Sequence, residues 1–139
     1  IKLLIDKEGY VIDTINDSDS IRLPLIKGLE FERYEIGQEL EVNNKEGLKS
    51  SVEVIKTVLQ DDLNSDFKVY NTINFIDVSN LNKVLLNIDS RIMVNLGDLQ
   101  DLNYRINFLK HILLKKIKKD DRGLLDFSNG ENPSFIPDR

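Results

Sequence analysis

The chain has 139 residues, 40% apolar and 31% charged, with a formal net charge of −5, which suits a single globular domain able to fold without staples. It has no Cys and one His; this excludes a disulfide framework, a thiolate metal site, a Cys nucleophile and the multi-His zinc centres. The acidic balance argues against nucleic acid, which requires a basic surface, and no apolar run is long enough to cross a membrane.

Taken from the start, residues 2–6 and 10–15 are β-rich and flank Lys7-Glu8-Gly9. Three turn residues ending in Gly predict a hairpin with Gly at a left-handed position. Residues 16–20 form a polar loop. Arg22 to Ile26 reads as a short edge strand, because Pro24 cannot donate to a central ladder. Leu48, Val52, Ile55 and Leu59 share one helical face and predict a helix over 47–60. Asp61-Asp62 follows it as solvated polar residues.

Residues 72–78 alternate with period two and predict a strand buried on more than one side. Val84 to Ile88 and Ile92 to Leu96 predict two further strands joined at Asp89-Ser90-Arg91. Leu102, Ile106, Leu109, Leu113 and Ile117 then lie on one face of a helix expected over 101–119, capped by Asp98 or Asp101. Leu124 to Ser128 predicts a strand. Asn129-Gly130 is a strong two-residue hairpin turn, and residues 132–136 return as a last strand between Pro133 and Pro137.

Strands in hairpin groups separated by helices define an α+β class: a largely antiparallel β-sheet with two helices packed on one face. Residues 1–139 are read as one domain. The first residue is Ile rather than Met, so a preceding segment of a longer protein is expected. Charge is unevenly spread: residues 1–70 hold 15 acids and 9 bases, residues 71–139 hold 9 acids and 10 bases. Lys110, Lys115, Lys116, Lys118 and Lys119 cluster at the end of the second helix, where cations suit the helix dipole.

Chemistry-bearing motifs are scarce. His111 lies on a helix flank without a Ser partner. The seven Gly are scattered at turns, so no phosphate loop is formed. Asp13, Asp17 and Asp19 lack the central Gly and terminal Glu of a calcium loop. No catalytic, cofactor-binding or metal-binding residue is predicted. The informative feature is the closing hairpin. Its last strand is expected to have an unpaired edge able to accept a partner segment. Phe127 and Phe135 either anchor that partner or are ordinary core residues beside a Pro133 that blocks aggregation.

Several segments, in order, resemble the extracytoplasmic β domain of the bacterial cell-division family FtsQ, called DivIB in Gram-positive bacteria. Ile5-Asp6-Lys7-Glu8-Gly9-Tyr10-Val11-Ile12 resembles the family's opening hairpin, and Leu23-Pro24-Leu25-Ile26-Lys27-Gly28 its "l-P-x-I-x-G". Ile73 to Val78 resembles "I-x-x-I-D-v". Val94-Asn95-Leu96-Gly97 with the following helix resembles "v-x-L-G" and its helix. Leu125-Asp126-Phe127-Ser128-Asn129-Gly130 resembles the closing strand and turn. The resemblance implies a non-enzymatic divisome scaffold without cofactors, anchored in the cell membrane by one upstream helix and carrying a POTRA domain before this one. It implies coiled-coil partners of the FtsB/DivIC and FtsL kind, held at the terminal hairpin. Mapped here, that surface is Leu125, Phe127, Ser128, Asn129, Glu131, Asn132, Ser134 and Phe135. The family often carries Arg where this chain has Ser128, which puts the contact chemistry at that point in question. The rival expectations are another extracytoplasmic wall or secretion scaffold and a small cell-wall hydrolase.

Overall fold

A computed structural model describes residues 2–130 and 132–138. Its elements run β1 (Lys2–Ile5), β2 (Val11–Ile15), β3 (Leu25–Lys27), α1 (Lys45–Asp62), a short 3-10 helix (Val69–Thr72), β4 (Ile73–Asp77), β5 (Leu85–Ile88), β6 (Ile92–Asn95), α2 (Leu102–Lys115), β7 (Gly123–Asp126) and β8 (Ser134–Pro137). The class is α+β, with one six-stranded sheet and a separate two-stranded one.

The six strands lie in chain order, β3 to β8. Three of the five ladders are antiparallel, while β3–β4 and β6–β7 are parallel. The parallel pairs are where the helices stand. A chain leaving one strand and returning beside it in the same direction needs a crossover, and α1 and α2 are those crossovers. The sheet is therefore two β-α-β units joined through the β5–β6 hairpin. Hydrophobic periodicity locates the elements but does not report strand direction, so these ladders are a finding of the structure.

Both helices cover one face. Val54 and Val58 of α1 and Ile106 and Leu109 of α2 enter one core with Ile76, Leu86, Ile88, Ile92, Val94, Leu125 and Phe127 from the sheet. Fully burying such side chains contributes about 1.5–3 kcal/mol each. The strand over Ile73–Asp77 departs from simple alternation. Its register against β5 shifts between Ile73 and Phe75. The extra residue, Asn74, turns Ile73 to the same face as Ile76, and both are buried. One face of this strand is core. The other carries Phe75, half-buried, with the Lys27 ammonium 3.8 Å above its ring. This corrects the expectation of a strand buried on more than one side. The Asn74 carboxamide serves the neighbouring hairpin. Its Oδ1 accepts the Ser90 N–H at 2.7 Å, bracing a turn in which Asp89 and Ser90 both sit at positive φ.

Helix starts and stops follow local chemistry. Asn44 Oδ1 accepts the Gly47 N–H at 2.8 Å, and its Nδ2 donates to the Val78 carbonyl, so one residue caps α1 and ties it to the end of β4. At α2, Asp101 stands at the cap position in a left-handed conformation, but its side chain makes no capping bond. The helix ends at Lys115 rather than 119, about 21 Å long at 1.5 Å per residue. Beyond it, the Arg91 guanidinium donates to the Lys118 and Asp121 carbonyls, and Asp121 Oδ2 accepts the Lys118 N–H. These bonds hold residues 118–121 as a turn instead of helix.

The β1–β2 hairpin sits apart from the main sheet and leans on α1. Gly9 has φ +89° in its turn, as that left-handed position requires. Lys56 of α1 pairs with Glu8 at 2.7 Å. The outer side of β2 is taken at Val11, whose N–H donates to Gln38 and whose carbonyl accepts from Gly37.

Candidate functional site: the closing hairpin and the two sheet edges

Strand β7 is central, between β6 and β8; β8 is the outer strand. The turn between them is organised by Asp126. Its Oδ1 accepts the Ser128 N–H at 2.8 Å and the Ser128 hydroxyl at 2.6 Å, and its Oδ2 accepts from Asn129 Nδ2 at 3.4 Å. Ser128 thus has a local role in closing the turn.

The predicted surface residues separate into groups. Leu125 and Phe127 are each 2% exposed, and Phe127 meets Phe108 of α2 edge to face, with 6.2 Å between centroids. They are core residues and cannot be touched by a partner unless the core opens; their inclusion in a contact surface is corrected on that ground. Ser128, Asn129, Asn132 and Ser134 are exposed. Phe135 pairs across from Leu125, so its ring lies on the helix-covered face, half-buried against the core. Glu131 lies outside the described residues. Sequence reasoning omitted Ile136, which is 54% exposed on the uncovered face beside Leu124. Its alternation with Phe135 is the signal that could have found it.

The hydrogen-bond pattern fixes what the β8 edge offers. The Asp138 N–H donates to the Arg122 carbonyl at 2.9 Å. Alternation along an antiparallel ladder then makes Leu124–Ile136 and Asp126–Ser134 the bonded pairs. Phe135 and Pro137 turn their main-chain groups outward. Pro has no N–H, so Phe135 supplies the single outward donor of β8, between Pro133 and Pro137. Acceptors are more plentiful: the carbonyls of Phe135 and Pro137.

At the opposite edge, the Val78 N–H donates to the Lys27 carbonyl at 3.0 Å. Leu25 and Lys27 therefore bond toward β4, and Ile26 turns its N–H and carbonyl outward.

A buried ionic cluster joins the helices. Lys110 Nζ lies 2.9 Å from Asp61 Oδ2 and 3.0 Å from Asp62 Oδ1, with side-chain exposures of 8% for Lys110, 17% for Asp61 and 6% for Asp62. Asp62 also accepts the N–H groups of Val69 and Tyr70, each at 2.9 Å. Burial opposes charge on Lys110, but its bonds to Asp61 and Asp62 outweigh that, and the ammonium titrates above the ordinary lysine value. Asp61 is likewise held below the usual carboxylate value, its bonds to Asn107 and Lys110 overcoming desolvation. The Asp61-Asp62 pair is thus not simply solvated, and Lys110 is not part of a surface basic cluster; Lys115, Lys116, Lys118 and Lys119 are exposed.

A cleft of about 900 Å³ runs beside α1 and is lined by Glu8, Glu39 and Glu46 together with Lys45, Lys49 and Lys56. Among the described residues, the carboxyl groups of Asp6, Asp61 and Asp77 are held below the usual carboxylate value, chiefly by the hydrogen bonds that they accept. Among the described residues no group of three or more His, Cys, Asp or Glu is placed to hold a metal ion, and no helix is long and apolar enough to cross a membrane. Comparison with protein-family models, with curated proteins and with solved structures gives no match.

Proposed function

We propose that this chain is a non-enzymatic interaction domain of the bacterial divisome, an FtsQ/DivIB-type scaffold acting outside the membrane. It receives coiled-coil division proteins of the FtsB/DivIC and FtsL kind at the β7–β8 hairpin. The observation that carries the reading is the position of β8. It is the outermost strand, it pairs only with β7, and it falls on the segment where the motif resemblance puts the family's contact. A partner strand laid along β8 gains main-chain bonds from the outward groups of Phe135 and the Pro137 carbonyl. With one outward donor, main-chain pairing is weak by itself, so side chains supply most of the affinity: Ile136 and Ser134 on the uncovered face, Asn132 at the strand entry.

The test is calorimetry between this chain and the extracytoplasmic segments of the coiled-coil proteins, with Ile136→Ser and Asn132→Ala as surface variants. Binding that these substitutions weaken at least tenfold, with the fold unchanged, supports the reading. Tight binding indifferent to both removes β8 from the interface, and absence of binding removes the divisome role.

A further inference from the structure

An apolar groove of about 340 Å³ lies between β1, β3 and α1, a size within the range of specific ligand pockets. It is lined by Val52, Ile55 and Leu59 of α1, by all of β1 (Lys2 to Ile5), and by Leu25 and Ile26 of β3 with the preceding Leu23 and Pro24. Side chains alternate between the faces of a strand. When consecutive residues all border a cavity, the cavity meets that strand at its edge. The free edges agree with this arrangement. Strand β1 pairs only with β2, whose own outer side is occupied at Val11 by Gly37 and Gln38. Strand β3 pairs only with β4, leaving the Ile26 N–H and carbonyl facing outward. Two open strand edges therefore border one apolar trough.

Charge at the groove selects further. Its charged lining residues are Lys2, Asp6 and Lys7. The Asp6 carboxylate is spent within the hairpin turn, accepting the N–H groups of Glu8 at 2.8 Å and Tyr10 at 3.0 Å. Lys2 and Lys7 are exposed, and neither has an ion-pair partner among the described residues. The lining thus presents two uncommitted ammonium groups.

We propose that this groove binds an extended peptide segment that pairs with β1 and β3 at once, turns alternate apolar side chains onto α1, and places an acidic residue against Lys2 and Lys7. Strands in a sheet stand about 4.8 Å apart. One inserted strand at that spacing from each side would join the two-stranded and six-stranded sheets into a continuous one. The site lies at the far edge of the sheet from β8 and does not depend on the divisome reading.

The experiment uses the full chain, labelled for amide NMR, titrated with a pool of octapeptides alternating Val or Ile with Ser and ending in two Glu. The expected result is shifts confined to residues 2–7, 23–28 and the facing turns of α1, with slowed exchange of the Ile26 amide. Peptides N-methylated at alternate amides should bind about tenfold more weakly, because they lose main-chain donors. The surface variant K2E/K7E should lower affinity several-fold at unchanged thermal stability. Myristate is titrated in parallel. Myristate binding with no peptide binding, peptide binding indifferent to N-methylation, shifts at β8 instead, or no shifts at millimolar peptide would each overturn the proposal.

Discussion

The two edges of the main sheet solve the same problem differently. Each outer strand has a main-chain row without a partner inside the sheet, the usual seed of aggregation. At β8 the protection is chemical. Pro133 and Pro137 flank Phe135, so the outward face of that strand is poor in donors, and a passing strand finds few bonds. At β3 the protection is geometric. The strand has only three residues, and its outward group at Ile26 opens into a trough walled by β1 and α1. A donor-poor open edge suits a partner that brings side-chain contacts. A walled edge suits a single extended segment and excludes a second sheet.

The comparison breaks most severely if the layer under both edges is disturbed. Lys110 clasps α1 to α2 through Asp61 and Asp62. Lys110→Met leaves two carboxylates without their cation, and removing one member of a buried pair costs about 3–5 kcal/mol. Urea denaturation should show that loss, with both edges affected together. The wild-type pH profile follows from the shifts. Asp61 titrates lower when folded, so its contribution is present above its unfolded value of 3.8 and fades as pH falls through the folded value. Lys110 titrates higher when folded, so its contribution is full below 10.5 and fades as pH rises through the folded value.

One edge can be broken alone at Gly123. A Cβ built there would lie 2.3 Å from the Ile136 carbonyl oxygen, a contact no rotamer change relieves, since the obstacle is backbone. Gly123→Ala should cost about 3 kcal/mol and release β8 from β7. Amide exchange should rise at Ser134, Ile136 and Asp138, whose N–H groups bond toward β7, while Leu25 and Lys27 keep their protection. Equal loosening of both edges would mean the sheet opens as one unit.

Phe135→Ala sharpens the comparison by mixing two effects. Its ring packs against the core, so truncation costs about 2 kcal/mol of stability, less than for a fully buried Phe. The sequence leaves Phe135 as either a partner anchor or a core residue, and the packing of its ring gives it a part in the core. If the edge is also a hot spot, partner affinity falls by roughly 2 kcal/mol. Comparing the variant with Ile136→Ser separates the effects, because Ile136 is exposed and its loss leaves the core intact.

Much of this was legible in the sequence. Apolar spacing located both helices, and turn residues located the β1–β2 and β5–β6 hairpins, because those signals are local; the β7–β8 connection spans residues 127–133 rather than the expected two-residue turn at Asn129-Gly130. Strand direction was not legible. The parallel ladders follow from each helix returning the chain beside its starting strand, which no window of residues records. The Asn74 bulge was hidden because Ile73, Phe75 and Ile76 satisfy simple alternation about as well. The ionic cluster was hidden by distance along the chain: Asp61 and Lys110 are 49 residues apart. In the closing hairpin the order of residues was readable, but not their facing. Leu125 falls on the expected contact segment and Phe127 is open between anchor and core in the sequence; the structure buries both.

The smallest change in stability should come from the prolines that guard β8. Pro137 occupies a position whose main-chain groups face away from β7, so no ladder bond depends on an N–H there. Pro137→Val should therefore leave stability within about 1 kcal/mol of the parent. It does add an outward donor two residues from that of Phe135, on the same edge. Two donors in register with the carbonyls of Phe135 and residue 137 are enough to template a second β8. The expected outcome is concentration-dependent self-association in sedimentation velocity where the parent stays monodisperse, growing further when Pro133→Thr is added. A doubly substituted chain that remained monodisperse would show that the prolines do not guard this edge. The protection would then have to come from the shortness of β8, the same device that limits β3.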